Sequence, residues 1–141
     1  MKTRFEIAGP GGDAGLAARA ARPGALFARM AAGFYALSCG AALKPRKTRR
    51  LRLKAPDLGA LLVNFLNELV FLLDARGFAA ARTWARVKKN ASGFQLEARL
   101  SGEEKVFERH PRGALVKAAT YHGLVVGKKR GRWRAKVVLD I

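Results

Sequence analysis

The chain has 141 residues, half of them hydrophobic, with one cysteine and a formal net charge of +18. The length and apolar content exclude an intrinsically disordered chain, and the single cysteine excludes an internal disulfide and favours a reduced, cytoplasmic setting. The 28 lysines and arginines against 10 aspartates and glutamates attract polyanions. We expect one domain over residues 1–141, with nucleic acid as the first candidate partner and an anionic membrane surface as the second. A coding bias towards arginine is an alternative source of the charge.

The N-terminal part of the chain predicts a strand hairpin followed by a helix. Alternating apolar and polar residues predict a strand at residues 3–7. A tight glycine-rich turn at residues 9–13 and a second, weaker strand at residues 14–20 would complete the hairpin. An apolar stripe predicts a helix over residues 23–37, which ends near Gly40. The first residues lack the apolar segment of a secretory signal, which also favours the cytoplasm.

Residues 48–54 predict a strand with a strongly basic outer face. The positions opposite its core-facing leucines are all basic: Arg50, Arg52 and Lys54. Like charges in one row repel, so the row favours an anion such as an RNA phosphate. A solvated edge strand whose charges prevent aggregation is the alternative, and the sequence favours the two equally.

Residues 57–77 hold the longest apolar run and predict the central helix of the protein. Asp57 suits the first turn, and Gly77 suits a left-handed cap after the last one. The segment is long enough to cross a membrane. Three polar side chains interrupt its middle: Asn64, Asn67 and Glu68. We therefore expect a buried helix and no membrane partner.

The second half of the chain is rich in predicted strands. Apolar alternation predicts strands at residues 94–100 and from residue 132 to the end. Residues 79–88 and 115–122 suit two further strands, with turns at 90–93 and 101–104. The last strand presents a second basic row: Arg132, Arg134 and Lys136. Short turns without intervening helices predict an α+β fold, in which two helices pack on a mainly antiparallel β-sheet.

Candidate metal ligands lie at the two ends of the sequence. Asp140 and the main-chain carboxylate of Ile141 place two hard anions together, and Asp13 would add a third if the first and last strands are neighbours. Oxygen ligands of this kind suit Ca²⁺, Mg²⁺ or Mn²⁺. A frayed terminus with a solvated aspartate is the alternative.

The sequence contains none of the CxxC, HExxH or GxSxG motifs. No pair of a nucleophile and a base stands out either. We therefore expect a protein that is not an enzyme.

Three segments of the sequence resemble the archease family, small proteins associated with the RtcB-type RNA ligase. Residues 61–74, LLVNFLNELVFLLD, resemble the family's LLVxWLNELLYLxD helix. Residues 116–124, VKAATYHGL, resemble its VKAxTYHxL strand, and residues 133–141, WRAKVVLDI, resemble its closing WxxxVxxDI. The order and spacing of the three segments also agree with the family.

The resemblance implies a non-enzymatic activator of an RtcB-type ligase in tRNA splicing and RNA repair, which promotes guanylylation and multiple turnover of the ligase. It implies a divalent metal, calcium with magnesium or manganese as alternatives, held by Asp13, Asp140 and Ile141. It also implies that Lys117 belongs to the surface that activates the ligase. The expected partners are the ligase and, through the basic surface, tRNA, with no stable DNA partner.

Two features depart from the family pattern. The N-terminal motif DHTADxG is replaced by GPGGDAG at residues 9–15, which keeps the final aspartate and glycine but loses an acidic residue and a histidine. The first helix, usually rich in glutamate, carries Arg29 and no acid. Two alternatives therefore accompany the activator hypothesis: a basic RNA-binding module, and a degenerate archease homologue without activator function.

Overall fold

The computed structural model describes residues 4–8, 13–40 and 42–141, and for residues 4–8 it describes the backbone alone. Most of the turn predicted at residues 9–13 lies outside these ranges. The described strands are β1 Arg4–Ala8, β2 Asp13–Ala20, β3 Lys47–Ala55, β4 Ala79–Asn90, β5 Gly93–Glu103, β6 Ala118–Lys129 and β7 Arg132–Asp140. The described α-helices are α1 Pro23–Ser38 and α2 Leu58–Arg76.

The strands form two antiparallel sheets. One sheet has the order β1-β2-β7-β6, and the other has the order β3-β5-β4. Each helix packs against strands of both sheets, α1 on β2 and β4 and α2 on β6 and β3. The structure therefore confirms the predicted α+β class with two helices on mainly antiparallel strands, and it divides these strands between two sheets.

Helix α2 has the ends that its sequence predicts. The Asp57 carboxylate accepts a hydrogen bond of 2.8 Å from the N–H of Ala60, as an N-cap does. Gly77 has φ 61°, and its N–H donates to the carbonyls of Leu72 and Leu73. By length and composition α2 is apolar enough to cross a membrane. Half of that apolar stretch is buried inside the protein.

The two helices meet through aromatic side chains in the core. The rings of Phe27 and Phe65 stack with their centroids 5.8 Å apart, and both side chains are fully buried. Burying one such side chain stabilises the fold by about 1.5–3 kcal/mol. Cys39, directly after α1, is also buried, and burial raises the pKa of its thiol. This cysteine is therefore a packing residue and a poor nucleophile.

Two strand ends differ from the predictions. Strand β5 continues to Glu103, through the segment predicted as a turn, because Gly102 pairs closely with β4: a Cβ there would lie 1.9 Å from the carbonyl oxygen of Ala79. Strand β6 starts at Ala118 and runs to Lys129, well past the predicted end at residue 122. Its register shifts between Thr120 and Val125, which interrupts the apolar alternation.

Candidate functional site

Asp13 and Asp140 lie directly opposite each other on neighbouring strands. Asp13 is the first residue of β2, Asp140 is the last residue of β7, and the two are register partners in the antiparallel pair. Their neighbours in sequence, Ala14 and Leu139, are fully buried. Because side chains alternate between the faces of a strand, both carboxylates lie on the outer face of the sheet, with Cβ atoms about 5 Å apart.

Strand β6 brings Lys117 to the other side of Asp140. The N–H of Lys117 donates to the main-chain carbonyl of Asp140 at 2.7 Å, and Ala118 is the register partner of Asp140. The side chain of Lys117 is exposed, so it lies on an open surface and remains hydrated. The structure therefore gathers Asp13, Asp140 and Lys117, which are far apart in sequence, at one end of the sheet.

Ile141 follows Asp140 and is half-buried, with its side chain packed against the core. This contact anchors the residue that directly follows Asp140. The frayed terminus considered as an alternative is therefore not the arrangement seen at Asp140, which lies in a strand paired on both sides.

The charges at this end of the sheet favour a cation. No basic side chain of the described residues lies within 4.0 Å of either aspartate carboxylate. Two like charges directly opposite each other on adjacent strands repel. A hard divalent cation would neutralise them, and carboxylate oxygens are the ligands that such a cation prefers. The donor chemistry of the pair therefore fits Ca²⁺, Mg²⁺ or Mn²⁺.

The pair alone does not complete a coordination sphere. In residues 13–40 and 42–141, whose side chains the structure describes, no three side chains of histidine, cysteine, aspartate or glutamate come close enough to hold a metal together. Calcium takes six to eight oxygen ligands, so two carboxylates leave several positions for water, for main-chain oxygens such as those of Ile141, or for a partner. The arrangement is thus that of an open site on a surface.

Asn67 is a supporting residue that the sequence did not assign to the site. Its side-chain amide on α2 donates from Nδ2 to the carbonyl of Ala119 at 3.2 Å, and its Oδ1 accepts from the N–H of Ala119 at 2.7 Å. Both bonds hold the start of β6 in place beside Asp140. The sequence gives one indication of this role, which is an amide inside an apolar helix. A half-buried polar group of this kind needs a hydrogen-bond partner.

The six basic residues proposed as phosphate contacts are divided between the two sheets. Arg50, Arg52 and Lys54 lie exposed on the outer face of β3, in the three-stranded sheet. The other three lie exposed on the outer face of β7, in the four-stranded sheet: Arg132, Arg134 and Lys136. Near these a cavity of about 290 Å³ is lined by five basic residues: Arg19, Lys129, Arg130, Arg132 and Arg134.

Two consecutive glutamates at the end of β5, Glu103 and Glu104, are structural. Glu103 is buried and accepts hydrogen bonds from the N–H of Lys44 at 2.8 Å and from the Arg109 guanidinium at 3.0 and 3.1 Å. The Lys44 N–H above all, together with Arg109, holds the pKa of Glu103 below its ordinary value. Glu104 is paired with Lys47 and Arg49. These carboxylates therefore join the loop to β3 and offer no unpaired ligands.

Comparison with known proteins gives one consistent family. The model of the Archease protein family (MTH1598/TM1083) matches residues 5–141. The chain is 37% identical over 100 residues to protein archease of Thermococcus gammatolerans, covering 70% of each chain. It is 36% identical over 100 residues to protein archease of Thermococcus kodakarensis, again covering 70% of each.

Two solved structures share the fold. The solution structure of protein 1598 of Methanobacterium thermoautotrophicum superposes with a TM-score of 0.79 at 24% identity, covering 99% of this chain and 98% of that one. The crystal structure of an archease from Thermotoga maritima, described as a possible chaperone, gives a TM-score of 0.57 at 17% identity, covering 90% and 89%. With the family model and the relatives, these matches lead to one conclusion: the chain belongs to the archease family.

Proposed function

We propose that this protein is a non-enzymatic activator of an RtcB-type RNA ligase in tRNA splicing and RNA repair, and that it acts in the cytoplasm. Membership of the archease family supports the assignment. The observation that carries it is the register pairing of Asp13 with Asp140, with Lys117 on the next strand. These are the positions at which the family resemblance expects the functional residues.

In this proposal Asp13, Asp140 and the main-chain oxygens of Ile141 hold a divalent cation, with Ca²⁺ preferred. A bound cation would supply a positive charge for a phosphate of the nucleotide or for carboxylates of the ligase. The exposed ammonium of Lys117 adds a second positive charge at the same end of the sheet. The open coordination positions fit a site that is completed by the ligase and not by this chain alone.

The same observation favours an active member of the family over a degenerate one. The N-terminal motif has lost an acid and a histidine, yet Asp13 remains register-paired with Asp140. A chain that had lost the site would be free to replace one of two mutually repelling carboxylates. Retention of both is therefore the expected state of a working site.

The test is multiple-turnover RNA ligation by the cognate RtcB-type ligase with GTP and a divalent metal. The reaction is run without this protein, with the native chain, and with Asp140→Asn. Glu108→Gln is the matched control, because Glu108 is an exposed carboxylate that lies outside the three segments that resemble the family. We expect stimulation by the native chain and by the control, and loss of about tenfold or more with Asp140→Asn, as when metal affinity is weakened.

Transfer of radiolabelled guanylate from GTP to the ligase, measured in the same samples, shows whether the stimulated step is guanylylation. Lys117→Ala should lower this transfer while leaving calcium binding by the free protein unchanged. An active ligase that is not stimulated by folded native protein would refute the proposed function.

A further inference from the structure

The outer face of the three-stranded sheet is an open surface on which nearly all charges are positive. Register pairing places the outward residues of β3, β5 and β4 in four rows across the sheet. The basic members, all exposed, are Arg50, Arg52, Lys54, Arg82, Arg86, Lys88 and Arg99. Among the outward positions of these three strands, all of which the structure describes, Glu97 is the acidic residue. We call this surface the β3-β5-β4 face.

Most of these cations have no internal counter-charge. Glu97 is shared between Arg52 and Arg86, each 3.3 Å away. Within the described part of the chain, no carboxylate lies within 4.0 Å of Arg50, Lys54, Arg82, Lys88 or Arg99. Successive outward residues of one strand are about 6.7 Å apart, and neighbouring strands about 4.8 Å apart. Repulsion at such spacings favours an anion that contacts several of these side chains.

An aromatic ring lies among these charges. Trp84 is 40% exposed and is the register partner of Arg99, which in turn is opposite Arg50. The Arg99 guanidinium lies over the indole at 4.2 Å from the ring centroid. Trp84 and Arg99 also line an open groove of about 750 Å³, together with Thr48, Arg50, Arg82, Thr83 and Ser101.

From this combination we infer that the β3-β5-β4 face binds single-stranded RNA. Trp84 stacks on an unpaired base, Arg99 orients the indole, and Arg50 and Arg82 contact the phosphates on either side. Aromatic rings on a sheet with a cationic surround are how proteins recognise single strands, since every base offers a π-face. In a duplex the bases are stacked on one another and the indole has no partner.

An acidic protein surface is the competing occupant. It would satisfy the cations, but it would not contact the exposed part of the indole favourably, because carboxylates bind arginine and not an aromatic face. The combination of Trp84 with the groove therefore favours RNA. The β3-β5-β4 face also shares no residue with the Asp13–Asp140 site, which lies on the other sheet. The inference consequently stands or fails independently of the proposed function.

The test is fluorescence anisotropy with a labelled twelve-nucleotide oligouridine, in the absence of ligase and at two salt concentrations. Trp84→Ala should weaken binding by about tenfold, the effect expected for loss of one stacked base, and Trp84→Phe should retain most of the affinity. Arg82→Gln should weaken binding and reduce the slope of log K against log salt by about 0.7, the value for one phosphate contact on a single strand.

Lys129→Gln is the matched control, because it removes the same charge from an exposed strand position on the other sheet. It should leave the affinity unchanged. Circular dichroism of each variant confirms that it is folded. As a second readout, Trp133→Phe leaves Trp84 as the one tryptophan of the chain. Its fluorescence should be quenched on addition of oligouridine.

Several results would overturn the inference. Unchanged affinity in Trp84→Ala would exclude stacking. If Lys129→Gln lost as much affinity for oligouridine as Arg82→Gln, the RNA would bind on the other sheet or without a defined site. Equal binding of an RNA duplex of the same length would show recognition of charge alone. Displacement of oligouridine by polyglutamate at equal charge concentration would indicate an acidic protein as the partner of this face.

Discussion

The amide of Asn67 pairs with the main chain of Ala119 as a neighbouring strand would. Its two hydrogen bonds, at 2.7 and 3.2 Å, satisfy both the N–H and the carbonyl of Ala119. Strand β6 is an edge of its sheet, so these groups have no partner on that side from another strand. A single side chain of α2 therefore anchors the start of β6 on the side that faces away from β7, next to Lys117.

Replacement of Asn67 by alanine should destabilise the protein and loosen the start of β6. The two main-chain groups of Ala119 would lose their partners, at a cost of about 1–3 kcal/mol in the free energy of unfolding. Urea denaturation measures the cost. Hydrogen exchange of the Ala119 amide should accelerate as well, because the N–H loses its acceptor. Asn64→Ala, an exposed change on the same helix, is the control, and an equal cost in both variants would contradict the assigned role.

Calcium should stabilise the native protein and should stabilise Asp13→Asn much less. In the absence of divalent ions the variant should be no less stable than the native chain, because it removes a carboxylate that repels Asp140. With calcium at 100 times its Kd the native chain should gain about 2.7 kcal/mol. Thermal unfolding in EGTA and in calcium chloride measures both differences. Equal calcium shifts in the two proteins would count against the metal site.

Glu103 should make the stability fall at acidic pH. The N–H of Lys44 and the Arg109 guanidinium hold the pKa of Glu103 below its ordinary value of 4.5. A carboxyl group with a lowered pKa in the folded state contributes stability above its unfolded pKa, and that contribution is lost as pH falls through the folded pKa. Glu103→Gln should therefore cost about 1.5–3 kcal/mol at pH 7 and progressively less below pH 4.5.

Denaturation of the native protein and of Glu103→Gln between pH 3 and pH 7 measures this convergence. Glu108→Gln, an exposed change a few residues away, serves as the reference. If the free-energy difference between the native protein and Glu103→Gln were the same at every pH, the ionised carboxylate would not be the source of the stability.

Gly24 and Gly127 should respond oppositely to alanine. A Cβ at Gly24 would lie 2.3 Å from the main-chain carbonyl oxygen of Ala85, so α1 and β4 would have to separate. We expect Gly24→Ala to cost about 1–3 kcal/mol. A Cβ at Gly127 meets no atom within 4 Å, and Gly127→Ala should be neutral or slightly stabilising. Thermal unfolding of both variants measures the two changes in stability. If Gly24→Ala were as stable as the native protein, the contact between α1 and β4 would be adaptable.

Local patterns predicted the elements of this fold well. The bounds of α2 follow from the helical spacing of its leucines and from two cap residues, Asp57 and Gly77, all of which act over a few positions. The burial alternation of β7 likewise follows from its sequence, with basic residues outward and apolar residues inward. Patterns of this kind depend only on residues that are close together in the chain, so the sequence alone is enough to recognise them.

The features that the sequence did not predict depend on distant residues. The division of the strands into two sheets is set by packing against both helices and leaves no local pattern. The continuation of β6 past His122 was missed because Gly123, with φ 63°, lies where the register shifts. The role of Asn67 was missed because its partner is 52 residues away.

The candidate site combines both kinds of information. The acidic residues at the two ends of the chain were identified from the sequence, but their proximity depended on which strands are neighbours. The structure pairs β2 with β7 and places Asp13 directly opposite Asp140. The bound metal and the ligase partner stay predictions, for which the variants above provide the tests.

The edge position of β3 has a consequence for the behaviour of the protein in solution. An edge strand offers unpaired N–H and C=O groups to a second copy of the chain, which is a route to aggregation. Five of the nine residues of β3 are basic, so two copies that met edge to edge would bring two cationic rows together. Screening by salt weakens this repulsion as it weakens attraction to polyanions. Low ionic strength should therefore favour colloidal stability, and high salt should promote self-association.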